Sequence, residues 1–122
     1  MREGRLPKEF RDRTKRFGAM AIRLFVKLPK NREEVVVCGK QMIRAGTSVA
    51  AHVREASRAR SDAEFVAKLG VAVQECDECQ LWLEYLREEC GTDPTTTQPQ
   101  EAEADELIAI MTTIIRRTGG NP

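Results

Sequence analysis

Apolar residues recur at Phe10, Phe17, Ala21, Leu24 and Leu28, with Thr14 in the gap. The alternating three- and four-residue spacing predicts a helix over about 9–28, buried along one stripe. Pro29 ends it, because proline disfavours helical backbone in the residue before it. Asn31, with Glu34 three residues on, reads as a capping box that opens a second helix over about 32–59. Its stripe is Val35, Cys38, Met42, Ala45, Val49, Val53 and Ala56, and Gly39, Ala45, Gly46, Ala50 and Ala51 leave its middle thin. A glycine inside a helix costs roughly 1 kcal/mol relative to alanine, so close approach of another backbone is the expected compensation. Ser61 and Glu64 form a second capping box and start a third helix over about 62–90, stopped by Gly91. Its stripe of Phe65, Leu69, Ala72, Cys76, Cys79, Leu83 and Leu86 is the clearest periodicity in the chain. Thr92 to Gln98 reads as a polar linker, and Pro99 suits a first helical turn. A fourth helix follows over about 100–117, with Ala104, Leu107, Met111 and Ile114 inward and Ile108, Ile110 and Ile115 widening the stripe.

Four amphipathic helices with short first and second connections predict an all-α fold: an antiparallel up-down-up-down four-helix bundle in one domain, 1–122. Facing residues should have numbers summing to about 60 between the first two helices and to about 121 between the second and third. Aromatics are only 5% of the chain, which makes the expected core aliphatic. No apolar stretch is long enough for a membrane span, and the charged start lacks a signal-peptide pattern. The expected location is the cytoplasm, with the four cysteines as thiols. Ile22, Phe25 and Val26 exceed one core stripe, and this surplus predicts self-association.

The net charge of +1 hides an asymmetry. Residues 1–32 carry a balance of +8 and residues 33–60 one of +2, whereas 61–91 carry −6 and 92–122 carry −3. On the first helix Arg13, Arg16, Arg23 and Lys27 follow helical spacing, one step from the core stripe. On the second, Arg44, Arg54 and Arg58 do the same. The expected register places Arg13, Arg16 and Arg44 in one cluster and Arg54 with Arg58 in another. Such ridges suit phosphate binding, RNA or DNA, with salt-sensitive affinity. The competing reading is internal pairing with the acidic third helix, where Arg44 should face Glu78 with Glu75 a turn away. Sparse aromatics argue against stacking of single-stranded bases.

Little else suggests chemistry. Glu75 and Glu78 flank the third stripe without a histidine at their level, and together with His52 and Glu55 they read as structural polar contacts. Cys76 and Cys79 lie on the buried stripe, where cysteine behaves as a small hydrophobe. A zinc site needs about four ligands, and Cys38 and His52 are expected too far away along the bundle. No metal, no cofactor and no enzyme activity is expected. Two functional classes stand: a homo-oligomeric nucleic-acid binder, and an oligomeric protein–protein scaffold that does not bind nucleic acid.

Three blocks carry a family resemblance: G-T-S-V-A-A-x-V-R-E-A from Gly46 to Ala56, S-D-x-x-F-x-x-K-L from Ser61 to Leu69, and E-x-x-E-x-x-x-W-L from Glu75 to Leu83. With Leu28-Pro29-Lys30 before the second helix, the chain from about Phe17 to Leu86 resembles the 23S ribosomal RNA intervening-sequence proteins. The family usually carries asparagine where this chain has His52. The resemblance implies an antiparallel four-helix bundle, commonly a ring-like homopentamer, encoded within ribosomal RNA inserts. More distantly the chain is similar to the accessory variability determinant of diversity-generating retroelements. That likeness implies a basic pentamer that binds nucleic acid and partners a reverse transcriptase.

Overall fold

The computed structural model describes residues 4–119, which form four helices: α1 (Lys8–Lys27), α2 (Glu33–Ser57), α3 (Asp62–Glu88) and α4 (Pro94–Arg117). Each packs on the next, and α4 closes back onto α1. Pairings across each seam run in opposite directions. Gly18 meets Gly46 and Thr47 while Leu28 meets Gly39. Arg44 meets Glu75 and Glu78 while Arg32 meets Cys90. The arrangement is therefore the expected up-down-up-down bundle.

The inward stripes are the predicted ones. Phe10, Thr14, Phe17, Ala21 and Leu24 are buried in α1, and all seven α3 stripe residues, from Phe65 to Leu86, are buried. In α2, Val35, Met42, Ala45, Val49, Val53 and Ala56 are buried, whereas Cys38 is only half-buried. The thin middle of α2 serves the predicted purpose. A Cβ on Gly46 would lie 2.8 Å from Ala21 Cβ and 3.2 Å from Cys79 Sγ. The α1–α2 register differs from expectation by more than one turn, because Gly18 opposes Gly46 and Thr47 rather than residues near 42.

Two caps differ from the sequence reading. Residue Arg32, not Asn31, is the N-cap of α2, and no side chain caps that end. Arg32 instead reaches Glu34 Oε1 at 2.9 Å and the Cys90 carbonyl at 3.0 Å. Half of the Ser61 box forms: Glu64 N donates to Ser61 Oγ at 3.1 Å, while Glu64 Oε2 accepts from Arg60 N at 3.1 Å, one residue before the N-cap. Gly91, at φ +74°, turns the chain after α3.

The largest correction is the start of α4, six residues before Gln100. The expected linker is helical because Asp93 caps it, accepting from Thr95 N at 3.0 Å, and Pro94 occupies the first turn, where its missing N–H is harmless. Pro99 consequently lies inside the helix and removes one interior hydrogen bond. Thr97 and Gln100 are both buried, and the hydrogen bond from Gln100 Nε2 to the Phe17 carbonyl, at 3.2 Å, opposes that loss. Ile115 is buried where Ile114 was expected, and Ile114 is half-buried.

Candidate nucleic-acid interface

The segment before α1 is strapped to the end of α2. Arg5 N donates to the Ser57 carbonyl at 2.8 Å, and Leu6 N to Ser57 Oγ at 3.2 Å. Leu6 is buried there. Gly4 makes the strap possible: it has φ +95°, and a Cβ would lie 2.6 Å from both Ser57 O and Ser57 Oγ. Arg5 is fixed by three neighbours. Its Nε donates to the Ala59 carbonyl at 3.1 Å, its NH1 pairs with Asp62 at 2.7 Å, and its guanidinium lies 5.6 Å from the centre of the Phe65 ring.

This strap, the first turns of α1, the end of α2 and the turn after it enclose a half-open cleft of about 970 Å³. Its walls carry Arg5, Lys8 and Arg11 on one side and Arg54, Arg58 and Arg60 on the other, with Asp12 as the single acidic lining residue among the described residues. Lys8 holds Asp12 by a 2.7 Å ion pair, and that bond keeps the Asp12 carboxyl below its ordinary range. The side chains of Arg54, Arg58 and Arg60 have no carboxylate partner among the described residues. Such a surface can hold phosphate oxygens through charge-assisted hydrogen bonds.

The predicted ridge residues separate into two roles. Arg13 grips α4: Nε and NH2 make a bidentate pair with Glu103 at 2.8 Å each, and NH2 reaches Glu106 at 2.6 Å. The pairing raises the Arg13 pKa and holds Glu103 low. Arg44 grips α3, at 3.3 Å from Glu75 and 3.0 Å from Glu78, which is the internal pairing weighed as the alternative. The cluster of Arg13, Arg16 and Arg44 does not form, because Arg13 lies on the α1–α4 seam and Arg44 on the α2–α3 seam. Arg16, Arg23 and Lys27 are exposed along α1, where Arg16 also helps to hold Glu103 low. Arg54 and Arg58 do come together, and with cations the ridge reading missed: Arg5, Lys8, Arg11 and Arg60. The signal was present, since an antiparallel register puts the end of the second helix level with the arginine-rich chain start.

The polar residues form two clusters rather than one. His52 Nδ1 and Lys68 Nζ meet Glu55 at 3.3 and 3.5 Å, away from the cluster of Arg44, Glu75 and Glu78. Burial pushes the Cys76 thiol up to about 12 and Cys79 higher still, so both stay protonated. Their thiols donate to the Ala104 and Met42 carbonyls. Burial and the neighbouring Cys90 thiol push the Cys38 pKa up. No group of three or more His, Cys, Asp or Glu side chains among the described residues is placed to hold a metal ion. No described helix is long and apolar enough to cross a membrane.

Fold and site together define a four-helix bundle with a basic cleft at one end. A family model described as "23S rRNA-intervening sequence protein" matches residues 9–113, and the chain belongs to that family. The match extends beyond the motif blocks into both outer helices. Among solved structures, the chain is similar to a protein of unknown function of the S23 ribosomal protein family from Bacteroides thetaiotaomicron VPI-5482. The two share 30% identity over 88% of this chain and 98% of that one, with a TM-score of 0.77. No curated protein matches the sequence.

Proposed function

We propose that this protein is a non-catalytic, self-associating bundle that binds structured RNA through phosphate contacts centred on the basic cleft. The observation that carries the reading is the convergence of six Lys and Arg residues on one concavity, of which Arg54, Arg58 and Arg60 have no carboxylate partner among the described residues. Arg13 and Arg44 are engaged by carboxylates, so they serve cohesion of the bundle. Arg54 and Arg58 are exposed and are the best placed of the ridge residues to meet a ligand, with Arg16, Arg23 and Lys27 as a second track along α1. The family's link to ribosomal RNA favours RNA over DNA as the polyanion. Scarce aromatics favour backbone recognition of a folded strand over base stacking.

Self-association is supported by a separate observation. Ile22, Val26, Val37, Leu81 and Tyr85 are large apolar residues left exposed, all in the half of the bundle away from the cleft. Repetition of the cleft in a ring would raise avidity for one RNA without new contacts.

The test is binding of a structured RNA across a salt series. The reading expects log affinity to fall linearly with log salt, by about 0.7–0.9 per phosphate contact. The combined substitution of Arg54→Ala and Arg58→Ala should shallow that slope by about 1.4–1.8. An exposed control, Lys40→Ala, should leave it nearly unchanged. Salt-independent binding, or none, would favour the protein-scaffold reading instead.

A further inference from the structure

The cleft differs from an ordinary basic face in its shape and in where its cations come from. Duplex phosphates project outward in rows, and a flat or ridged surface meets them best. Here the cations converge from separate chain segments on one recess: Arg5 from the strap, Lys8 and Arg11 from the first turns of α1, Arg54 from the last turn of α2, and Arg58 and Arg60 from the turn beyond it. The recess, at about 970 Å³, is at the upper end of the roughly 300–1,000 Å³ usual for small-ligand pockets and can admit a strand end. Cations converging on one recess favour a compact, highly charged anion over a row of singly charged ones.

We infer that the cleft binds a terminal phosphate monoester of an RNA strand, and not only the internal phosphodiester backbone. This rests on the RNA-binding reading and names the part of the RNA that the cleft takes. A phosphodiester carries one negative charge, whereas a phosphate monoester carries about −1.5 to −2 at neutral pH and three terminal oxygens. Three terminal oxygens suit guanidinium groups approaching from several directions, each able to donate two parallel hydrogen bonds. Arg5 is already oriented by Ala59, Asp62 and Phe65, so one cation of the recess is preorganised. Among the described residues, Arg54, Arg58 and Arg60 have no carboxylate to release before binding.

The experiment uses the full-length protein and one hairpin RNA prepared with a 5′-phosphate, with a 3′-phosphate, with hydroxyls at both ends, and as a closed circle. Affinities are read at fixed salt, and inorganic phosphate is added as a competitor. A phosphate at one end should tighten binding at least tenfold over the hydroxyl-ended and circular forms. The Arg54→Ala and Arg58→Ala double variant should lose that increment while retaining its helicity, since both side chains are exposed. Inorganic phosphate should compete against the phosphorylated form more strongly than against the circle. Equal, salt-dependent affinity for all four RNAs would overturn the terminal-phosphate inference and leave RNA binding standing. An increment that survives in the double variant would overturn the assignment to this cleft. Absence of binding to every form would overturn the RNA reading and this inference with it.

Discussion

Gly46 and Gly70 both lie inside helices, yet their surroundings predict opposite responses to alanine. At Gly46 a Cβ would meet Ala21 Cβ at 2.8 Å, and that neighbour is a short side chain on a packed helix that cannot swing away. Overpacking there should outweigh the gain in helix propensity, so Gly46→Ala should destabilise the fold by about 1–2 kcal/mol. Gly70 has nothing within 4 Å of the same position. Gly70→Ala should therefore stabilise by about 0.5–1 kcal/mol. Urea unfolding of the two variants beside the parent checks both signs. Gly4 is a third case, where a side chain would be strained by the φ of +95° and would also meet Ser57. The thin centre of the second helix was legible in the sequence as small residues, but which glycine touches a neighbour depends on a register that spacing alone did not determine.

The helices differ in how they are held. Seven of seven predicted α3 stripe residues are buried, because an uninterrupted apolar stripe at helical spacing fixes both the helix and its inward face. The first two turns of α4 were not legible, since Thr95, Thr96, Thr97 and Pro99 all have weak intrinsic helix preference. Tertiary contacts override that preference, through the buried, hydrogen-bonded Gln100 and through two arginine forks. Arg87 binds Glu101 at 2.9 and 3.0 Å, and Arg13 binds Glu103 at 2.8 Å twice. Both carboxyls are held below their ordinary 4.5, chiefly by hydrogen bonds from those arginines. A depressed folded-state pKa contributes stability that is complete above the unfolded value. That stability should fall away as pH drops below about 4.5 through the depressed range. Unfolding midpoints measured between pH 6 and pH 3 should fall, and Glu103→Gln should show a smaller fall than the parent. Removing the Arg13 fork by Arg13→Met should cost about 1 kcal/mol at neutral pH. Loss of RNA affinity beyond that of the Lys40→Ala control would contradict the assignment of Arg13 to bundle cohesion.

At the scale of the whole molecule, the basic cleft and the exposed apolar residues are segregated. The basic cleft closes one end, and the exposed Ile22, Val26, Val37, Leu81 and Tyr85 lie toward the other. Contacts between copies at the apolar half would leave the clefts open to ligand. Val26→Glu with Tyr85→Glu should shift the native mass toward a monomer without loss of helicity. A parent protein that is already monomeric at micromolar concentration would contradict the self-association. Charge asymmetry along the chain made a basic surface legible, but its focus was not, because opposite-charge pairing removes Arg13 and Arg44 from it and only the folded ends bring Arg5 to Arg58. The most direct test is the salt dependence of affinity for a structured RNA, measured for the parent and for the Arg54→Ala and Arg58→Ala double variant. A linear fall with log salt, shallower in the double variant by about 1.4–1.8, is the predicted result. Equal slopes for the two proteins would contradict the cleft as the RNA site.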